Sequence, residues 1–185
     1  MDKACFLDRD GVIIEEENYL FEPDKVRLCK GVPEAIRKMR EAGYKIVVVS
    51  NQSGIARGYF TESDLQAVEK RIDECLQEQD VFVDRWYYCF HHPKGCTAPY
   101  AIPCKCRKPE PGMLLQAAAD MDLDLRQSVM IGDKTSDVEA GLRAGCRAAA
   151  LVRTGHGSEQ DISEYPEACD APDILYAVNK LLEIH

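Results

Sequence analysis

Short apolar runs recur along the chain, separated by helix-type patterns, and they constrain its fold more than any other feature. The run Ile46-Val47-Val48-Val49, within a predicted strand at 45–49, is continuous rather than alternating. Such a run is typical of a parallel strand that is covered on both faces. Further strands are predicted at 4–7, 82–90, 128–131 and 148–152. Because strands that alternate with helices imply βαβ units, we expect an α/β fold with a doubly wound, mainly parallel sheet.

Helix signals lie between the predicted strands. Thr61 is a candidate N-cap, and Asp64 occupies the position where a capping box has its acidic or amide side chain. Helices are predicted at about 31–41, 61–79, 112–121, 137–144 and 174–183. The proline-rich segment 91–111 is predicted to be irregular. With 185 residues, the chain is expected to form a single domain, 1–185.

Polar residues follow three of the predicted strands. They are Asp8 and Asp10 after the first, Ser50 and Asn51 after the second, and Asp133 and Asp137 after the fourth. In doubly wound sheets, ligands bind beyond the carboxyl ends of the strands. A single strand that ends in an Asp-Gly turn is common, but three polar clusters at one sheet edge favour a functional site.

The stretch Asp8-Arg9-Asp10-Gly11 is the first of these clusters. Two carboxylates beside an exposed backbone carbonyl form a hard, oxygen-rich site that suits Mg²⁺. They can also take different roles, one as a nucleophile and the other as a proton shuttle. A lone lysine is usually a solvated surface residue. The Arg107-Lys108 pair, however, lies between a cysteine-rich loop and the start of a helix.

Composition excludes several classes of protein. The formal net charge is −9, whereas general affinity for nucleic acid or an anionic membrane requires basic patches. Asp2, Lys3 and Asp8 interrupt the first residues, which therefore do not resemble a signal peptide. No apolar run is long enough to cross a bilayer. We expect a cytoplasmic monomer with neither nucleic acid nor a membrane as its partner.

Nine cysteines are many for a reducing compartment, where metal ligands or buried thiols are expected before disulfides. The loop 89–106, here called the Cys/His loop, contains a Cys₃His set that suits tetrahedral zinc. Its members are Cys89, His91, Cys104 and Cys106. His92 and Cys96 are alternative ligands, and a set of buried thiols is the alternative interpretation. His156 and His185 are expected to be exposed and without partners.

Four motifs together resemble those of the haloacid dehalogenase superfamily of phosphotransferases. In chain order they are Asp8-x-Asp10-Gly11, Ser50, Lys108, and Gly132-Asp133 with Asp137. The resemblance spans most of the chain and implies a Rossmann-like fold. The spacer from Asp10 to Ser50 is too short for a large cap domain, so a capless member with an open site is expected.

The resemblance also implies roles for these residues. Asp8 would be the nucleophile that forms an aspartyl-phosphate, and Asp10 would be the acid and then the base. Catalytic Mg²⁺ would be held by Asp8, the backbone carbonyl of Asp10, and Asp133. Ser50 and the amide that follows it would donate hydrogen bonds to the phosphoryl oxygens, and Lys108 would supply positive charge.

A narrower resemblance is to the heptose-bisphosphate and histidinol-phosphate phosphatases of this superfamily. The segments that carry it are Asp8-Arg9-Asp10-Gly11, Ser50-Asn51-Gln52-Ser53-Gly54, Cys89-x-His91, Cys104-x-Cys106-Arg107-Lys108-Pro109 and Gly132-Asp133-Lys134. This resemblance implies structural zinc in the Cys/His loop, with His91 favoured as the histidine ligand. It also implies a phosphorylated sugar as substrate, hydrolysed at the 7-phosphate of D-glycero-D-manno-heptose 1,7-bisphosphate.

Further residues are expected to bind that substrate. They are Glu16, Glu17, Asn18, Tyr19, Asn51, Gln52, Ser53, Arg107 and Lys134. Arg107 and Lys134 are the best candidates for a second anionic group, because an arginine can bind phosphate in a bidentate manner. The segment 16–19 is expected to contact sugar hydroxyls.

Other functions stay open at this point. One is the hydrolysis of histidinol phosphate or of another small phosphomonoester. A phospho-accepting receiver module also uses an acidic pocket, Mg²⁺ and a lysine, but it has paired acids before its phosphorylated aspartate rather than Asp-x-Asp. A nucleic-acid 3′-phosphatase shares the motifs, although the acidic composition counts against it.

Overall fold

The computed structural model describes residues 1–184, and one parallel sheet forms its centre. The strands are β1 (Lys3–Leu7), β2 (Tyr44–Asn51), β3 (Arg85–Cys89), β4 (Val129–Gly132), β5 (Ala148–Val152) and β6 (Cys169–Ala171). Their order across the sheet is β3-β2-β1-β4-β5-β6, and every neighbouring pair is parallel. The chain therefore winds outwards in both directions from β1 and β4. This arrangement confirms the predicted α/β class and the doubly wound sheet.

Five α-helices connect or follow the strands in this part of the chain. They are α1 (Val32–Glu41), α2 (Glu62–Gln77), α3 (Gly112–Met121), α4 (Thr135–Ala144) and α5 (Ile174–Glu183). The predicted capping box of α2 is present, with Thr61 and Asp64 each accepting a hydrogen bond from the other's backbone N–H. Within residues 1–184, no helix has both the length and the apolar composition to cross a membrane.

Helices cover both faces of the sheet, as the continuous apolar strands require. Successive strand residues point to opposite faces. Cys5 and Leu7 of β1 pack into the core that α1, α2 and α5 complete, whereas Ala4 and Phe6 pack into the core beneath α3 and α4. Two separate apolar cores thus cover the two faces of the sheet, and polar residues lie at the carboxyl edge of the strands.

Some boundaries differ from the sequence prediction. β3 begins at Arg85 rather than at Phe82, whose half-exposed ring instead lies beneath the guanidinium of Arg40. α4 begins at Thr135, two residues before the predicted Asp137, because the Asp137 carboxylate accepts a hydrogen bond from the Lys134 backbone N–H and caps the helix. The sequence does not predict β6, which is only three residues long and is a strand because it pairs with β5.

The Cys/His loop belongs to a segment, 90–111, that contains neither helix nor strand, as its prolines predict. This segment packs against the β2–α2 loop, which consists of residues 52–61. The backbone N–H groups of Cys96 and Thr97 both donate to the carbonyl of Ala56, at 2.8 and 2.9 Å. The two loops are therefore held together beside the carboxyl end of β2.

Candidate active site

The carboxyl edge of the sheet brings together carboxylates from two neighbouring strands. Asp8 follows β1 and Asp133 follows β4, and the strand order reverses between these two strands. One oxygen from each of Asp8, Asp133 and Asp137 lies within 4.8 Å of the others, and all three side chains are buried. Ligands of doubly wound sheets bind at this switch point.

Two glycines allow the backbone to close around Asp133. Gly11 has a φ of +81°, and a Cβ there would lie 2.3 Å from Asp133 Oδ2. Gly155 has a φ of +55°, and a Cβ there would lie 2.5 Å from the same oxygen. A side chain would collide with the carboxylate at either position, besides being strained in this left-handed conformation. The glycine that follows Asp10 is therefore required by the packing around Asp133.

The acidic cluster holds more negative charge than its protein neighbours offset. Burial, followed by the charges of Asp8 and Asp137, raises the pKa of Asp133 to about 9. Burial likewise raises the pKa of Asp8. Asp133 Oδ2 accepts a hydrogen bond from the His156 backbone N–H at 2.9 Å, whereas Oδ1 is buried without a partner. An orphaned buried oxygen beside two other carboxylates fits a divalent cation of the Mg²⁺ type.

Lys108 is the buried cation beside this cluster, and its side chain is almost fully enclosed. Its Nζ donates to Asp8 Oδ1 at 3.0 Å and to the Val49 carbonyl at 2.8 Å, and it lies 2.7 Å from Asp137 Oδ1. Burial alone would lower the pKa of Lys108, but the carboxylates of Asp137 and Asp8 outweigh that effect and raise the pKa. Asn51 fixes the backbone of Lys108 through two hydrogen bonds. Lys108 therefore stays charged beside Asp8.

Asp10 is oriented by a network that begins at Arg9. Arg9 donates from Nε to Asp10 Oδ2 and from Nη2 to Asp10 Oδ1, both at 3.0 Å. Gln52 Nε2 donates to Asp10 Oδ2 at 2.8 Å and to Ser50 Oγ at 2.9 Å. The carboxylate of Asp10 is thus held from two sides. Sequence reasoning did not identify Arg9, whose side chain is completely buried.

A cavity of about 570 Å³ opens from these residues. Most residues predicted for the site line it: Asp8, Asp10, Glu16, Asn18, Tyr19, Asn51, Gln52, Ser53, Arg107, Lys108 and Lys134. Three predicted residues do not. Glu17 is exposed outside the cavity, whereas Ser50 and Asp133 are buried and are not among its lining residues.

His156 also lines the cavity, which contradicts the prediction that it is exposed and without partners. It is partly buried, and its Nε2 lies 3.6 Å from Glu16 Oε1. The overlooked signal is its position shortly after β5, whose carboxyl end lies at the same sheet edge. His185, for which the same prediction was made, lies outside the described residues.

Arg57 lines the cavity as well, and no motif marks it in the sequence. It comes from the β2–α2 loop rather than from a strand end. The Arg57 guanidinium Nη2 lies 3.1 Å from His92 Nε2, and its backbone carbonyl is 3.3 Å from Cys96 Sγ. His92 and Cys96, the two alternative zinc ligands, thus contact Arg57. Neither belongs to the group of four possible zinc ligands described in the next paragraph.

Four side chains of the Cys/His loop converge on one point. They are Cys89, His91, Cys104 and Cys106, and one ligand atom from each lies within 4.8 Å of the others. Their sulfur–sulfur separations are 2.9 to 3.5 Å, and His91 Nδ1 lies 3.3 and 3.7 Å from two of the sulfurs. Sulfurs bound to one zinc ion at about 2.3 Å lie about 3.8 Å apart, so these sulfurs lie closer together than they would around an ion. The donor set, three cysteines and one histidine converging on one point, is the kind that holds one structural zinc ion.

The chain is similar to known phosphatases over nearly its whole length. Residues 105–182 match the HAD-hydrolase-like family. The D-glycero-beta-D-manno-heptose-1,7-bisphosphate 7-phosphatase of Haemophilus influenzae is 43% identical over 185 residues, covering 97% of this chain and 100% of that protein. The D-glycero-alpha-D-manno-heptose-1,7-bisphosphate 7-phosphatase of Photorhabdus laumondii is 38% identical, covering 98% and 97%.

Solved structures extend the similarity to three dimensions. The crystal structure of D,D-heptose 1,7-bisphosphate phosphatase from B. bronchiseptica, complexed with magnesium and phosphate, has a TM-score of 0.85 to this chain. The two chains are 32% identical, and the match covers 97% of this chain and 98% of the other.

Proposed function

This chain belongs to the heptose-1,7-bisphosphate 7-phosphatase family of HAD-like hydrolases, and we propose that it hydrolyses the 7-phosphate of D-glycero-D-manno-heptose 1,7-bisphosphate. The observation that carries the proposal is the position of Asp8, which contacts the charged Lys108 and faces a cavity that Arg107 and Lys134 also line. A phosphomonoester repels nucleophiles by its own charge. Its hydrolysis therefore needs cations and a positioned nucleophile.

Asp8 is the proposed nucleophile. Lys108 donates a hydrogen bond to Asp8 Oδ1, which leaves Oδ2 to attack phosphorus. A bond forms between this oxygen and phosphorus while the bond between phosphorus and the sugar oxygen breaks. The result is an aspartyl-phosphate and the free sugar hydroxyl.

Asp10 is the proposed proton shuttle. It protonates the leaving sugar oxygen, and its carboxylate then takes a proton from the water that attacks the aspartyl-phosphate. The hydrogen bonds from Arg9 and Gln52 support this role, because they restrict the carboxylate to one orientation at the cavity wall. The second half of the reaction releases inorganic phosphate and restores Asp8.

In this proposal the transferring phosphoryl group is bound by the Ser50 hydroxyl, the backbone N–H of Asn51 and the Lys108 ammonium. Ser50 Oγ accepts a hydrogen bond from Gln52, so its own proton is free to be donated to a phosphoryl oxygen. Lys108 offsets negative charge on the same group. Its contacts with Asp8 and Asp137 support the assignment, because they fix the ammonium where the new bond forms.

Mg²⁺ is the proposed catalytic cofactor. Asp8, Asp133 and the backbone carbonyl of Asp10 would hold it, and the partnerless Oδ1 of Asp133 supports this assignment. When bound, the ion would supply positive charge against the phosphoryl oxygens. Asp137 braces the site instead, since its two oxygens are engaged by Lys108 and by the Lys134 backbone N–H.

The substrate is proposed to bind along the cavity wall. Glu16, Asn18 and Tyr19 would contact sugar hydroxyls, with Glu17 beside them at the surface. Asn51, Gln52 and Ser53 would contact the reacting end. Arg107 and Lys134 would bind the phosphate that is retained, and the buried Nη1 of Arg107, which has no partner, supports this role.

Zinc is proposed as a structural ion held by Cys89, His91, Cys104 and Cys106. The convergence of three cysteine sulfurs and one histidine nitrogen on one point supports zinc over a set of buried thiols. We also propose that residues 1–185 form one phosphatase domain without a cap domain, in which zinc holds the Cys/His loop, 89–106, together. A cytoplasmic monomer is the proposed state; cysteines that serve as metal ligands or buried thiols, as proposed for this chain, are typical of a reducing compartment.

A substrate panel tests the proposal. It contains both anomers of heptose 1,7-bisphosphate, fructose 1,6-bisphosphate, histidinol phosphate and p-nitrophenyl phosphate, with phosphate release as the readout. We expect kcat/KM to be highest for one heptose bisphosphate anomer. A preference for histidinol phosphate would contradict the assigned substrate. Release of no more than one phosphate per chain would indicate a receiver module instead of an enzyme.

A further inference from the structure

Arg57 and Arg107 line the same cavity without any carboxylate partner among residues 1–184. The arginines that form ion pairs in this part of the chain are Arg9, Arg40, Arg71, Arg126, Arg143 and Arg153. Of the carboxylates that line the cavity, Asp8 and Asp137 pair with Lys108 and Asp10 pairs with Arg9. Glu16 lies nearest to His156, at 3.6 Å, and not within ion-pair distance of either arginine. Two guanidinium charges in the cavity wall are therefore uncompensated.

Hydrogen bonding leaves the same two groups unsatisfied. Arg57 Nε and Arg107 Nη1 are buried and have no hydrogen-bond partner. Buried donors of this kind are nearly always paired in folded proteins. Arg9 Nη1 in the same cavity wall also has no partner, but the charge of Arg9 is paired with Asp10. Orphaned donors on two arginines that also have no carboxylate partner therefore fit a ligand that offers several acceptor oxygens. Phosphate matches such donors, because it accepts paired hydrogen bonds from a guanidinium.

His92 does not supply the missing acceptor for Arg57. Its Nε2 lies 3.1 Å from Arg57 Nη2, while its Nδ1 lies 3.0 Å from the Lys94 backbone nitrogen. Both neighbours are donors, yet a neutral imidazole has only one acceptor nitrogen and a protonated one has none. At least one of the two contacts is therefore not a hydrogen bond. His92 limits where Arg57 can lie without neutralising its charge.

The backbone that carries Arg57 is held in place by the Cys/His loop. The carbonyl of Ala56 accepts two backbone hydrogen bonds from that loop. Gly95 packs so closely that a Cβ there would lie 2.6 Å from the Ala56 carbonyl oxygen. Arg107 directly follows the same loop. The backbone segments that carry the two arginines are therefore positioned by one piece of structure before any ligand binds.

We propose that Arg57 is a specificity-determining residue that binds, together with Arg107, the phosphate that the enzyme does not remove. This inference rests on the proposed function for the identity of the substrate. It assigns recognition of the retained phosphate to the β2–α2 loop, where the sequence has none of the motifs that follow the strands. Arg57 would act on substrate choice and not on the chemical step, because it contacts neither Asp8 nor Asp10.

The test compares two substrates that differ only in the retained phosphate, heptose 1,7-bisphosphate and heptose 7-phosphate. Arg57→Ala should lower kcat/KM for the bisphosphate by roughly 10- to 150-fold, the range expected for one charge-assisted contact, mainly through a higher KM. The loss on heptose 7-phosphate should be at least tenfold smaller. Arg57→Lys, which keeps the charge but lacks the planar fork, should show an intermediate loss confined to the bisphosphate.

Lys94→Ala is the matched control, because it removes an exposed cation near His92 that does not line the cavity. It should leave the ratio of the two kcat/KM values unchanged. Equal losses of kcat/KM on both substrates in Arg57→Ala would overturn the inference, as would no loss on either substrate. If Arg57→Ala unfolds at a lower temperature than the wild type, Arg57→Lys decides. A wild-type enzyme that does not prefer the bisphosphate to heptose 7-phosphate would instead contradict the proposed function.

Discussion

Arg9 and Asp10 are adjacent in the chain, and the completely buried guanidinium of Arg9 donates one hydrogen bond to each carboxylate oxygen of Asp10, both at 3.0 Å. A bidentate pair of this kind gives orientation as well as attraction. The buried residue therefore determines how its more exposed neighbour presents its carboxylate to the cavity. Arg9 is a positioning residue, since it acts on the reaction through Asp10.

Substitution of Arg9 tests this relationship. Arg9→Lys keeps the charge but loses the fork, so kcat should fall by roughly 10- to 150-fold, the range expected for one charge-assisted hydrogen bond. KM should change little, because the substrate is not contacted. Steady-state kinetics would measure kcat and KM separately, and thermal unfolding would be the control for folding. A change in KM alone would argue against a role through Asp10.

Asp8→Asn should abolish turnover, because an amide cannot form the acyl-phosphate. The midpoint of thermal unfolding should be largely retained, because the amide oxygen can still accept a hydrogen bond from Lys108, which also stays paired with Asp137. Asp10→Asn should also be severely impaired. If Asp8→Asn kept more than about a hundredth of the wild-type kcat, a loss smaller than the 10²–10⁴-fold typical of acid–base assistance, covalent catalysis through Asp8 would be wrong.

Activity should be lost in EDTA and return with Mg²⁺. Ca²⁺ should inhibit, because it takes more ligands at longer distances and would draw the second Asp8 oxygen away from phosphorus. Full activity in Ca²⁺ alone would contradict this picture.

A second readout of the same site does not depend on turnover. Because the pKa of Asp133 is raised from 3.8 to about 9, the metal-free native state keeps a proton that the unfolded chain releases above pH 3.8. The metal-free protein should therefore lose stability as pH rises through that window. Mg²⁺ should oppose this loss and raise the unfolding temperature. Asp133→Asn should weaken the pH effect, part of which Asp8 also supplies, and should remove the stabilisation by Mg²⁺.

Purified protein should contain about one zinc per chain. Structural zinc can contribute roughly 10–16 kcal/mol in small peptides, so the order of the Cys/His loop should depend on the ion. Cys104→Ser should lose zinc, whereas Cys96→Ser, a change outside the cluster in the same loop, should retain it. Metal analysis by mass spectrometry would measure both, and equal zinc content in the two variants would count against the assignment.

Arg107→Ala should lower kcat/KM for the bisphosphate by roughly 10- to 150-fold. On p-nitrophenyl phosphate, which has no second phosphate, the loss should be much smaller. Lys105→Ala is the matched control, since it removes an exposed cation two residues away that does not line the cavity. Equal losses of Arg107→Ala on both substrates would place Arg107 at the transferring phosphoryl group.

Much of the architecture could be predicted from the sequence, because its signals are local. The continuous run at 46–49 predicts a strand that is covered on both faces, and Thr61 with Asp64 predicts where α2 begins. Parallel strands point their carboxyl ends to one edge, so Asp8 and Asp133 could be expected to meet before any coordinates were known. In each case the physical cause acts over a few residues or follows from the sheet itself.

The remaining features depend on which distant segments come into contact. β6 is too short to show a hydrophobic pattern in the sequence. It is a strand because its backbone pairs with the edge of β5. His156 reaches Glu16 only because the segment after β5 folds over Asp133. The sequence by itself determined the strand ends and the residue types at them. Only the tertiary structure decided that Arg57 enters the cavity, because that position depends on the packing of two irregular loops about 40 residues apart, which no local periodicity encodes.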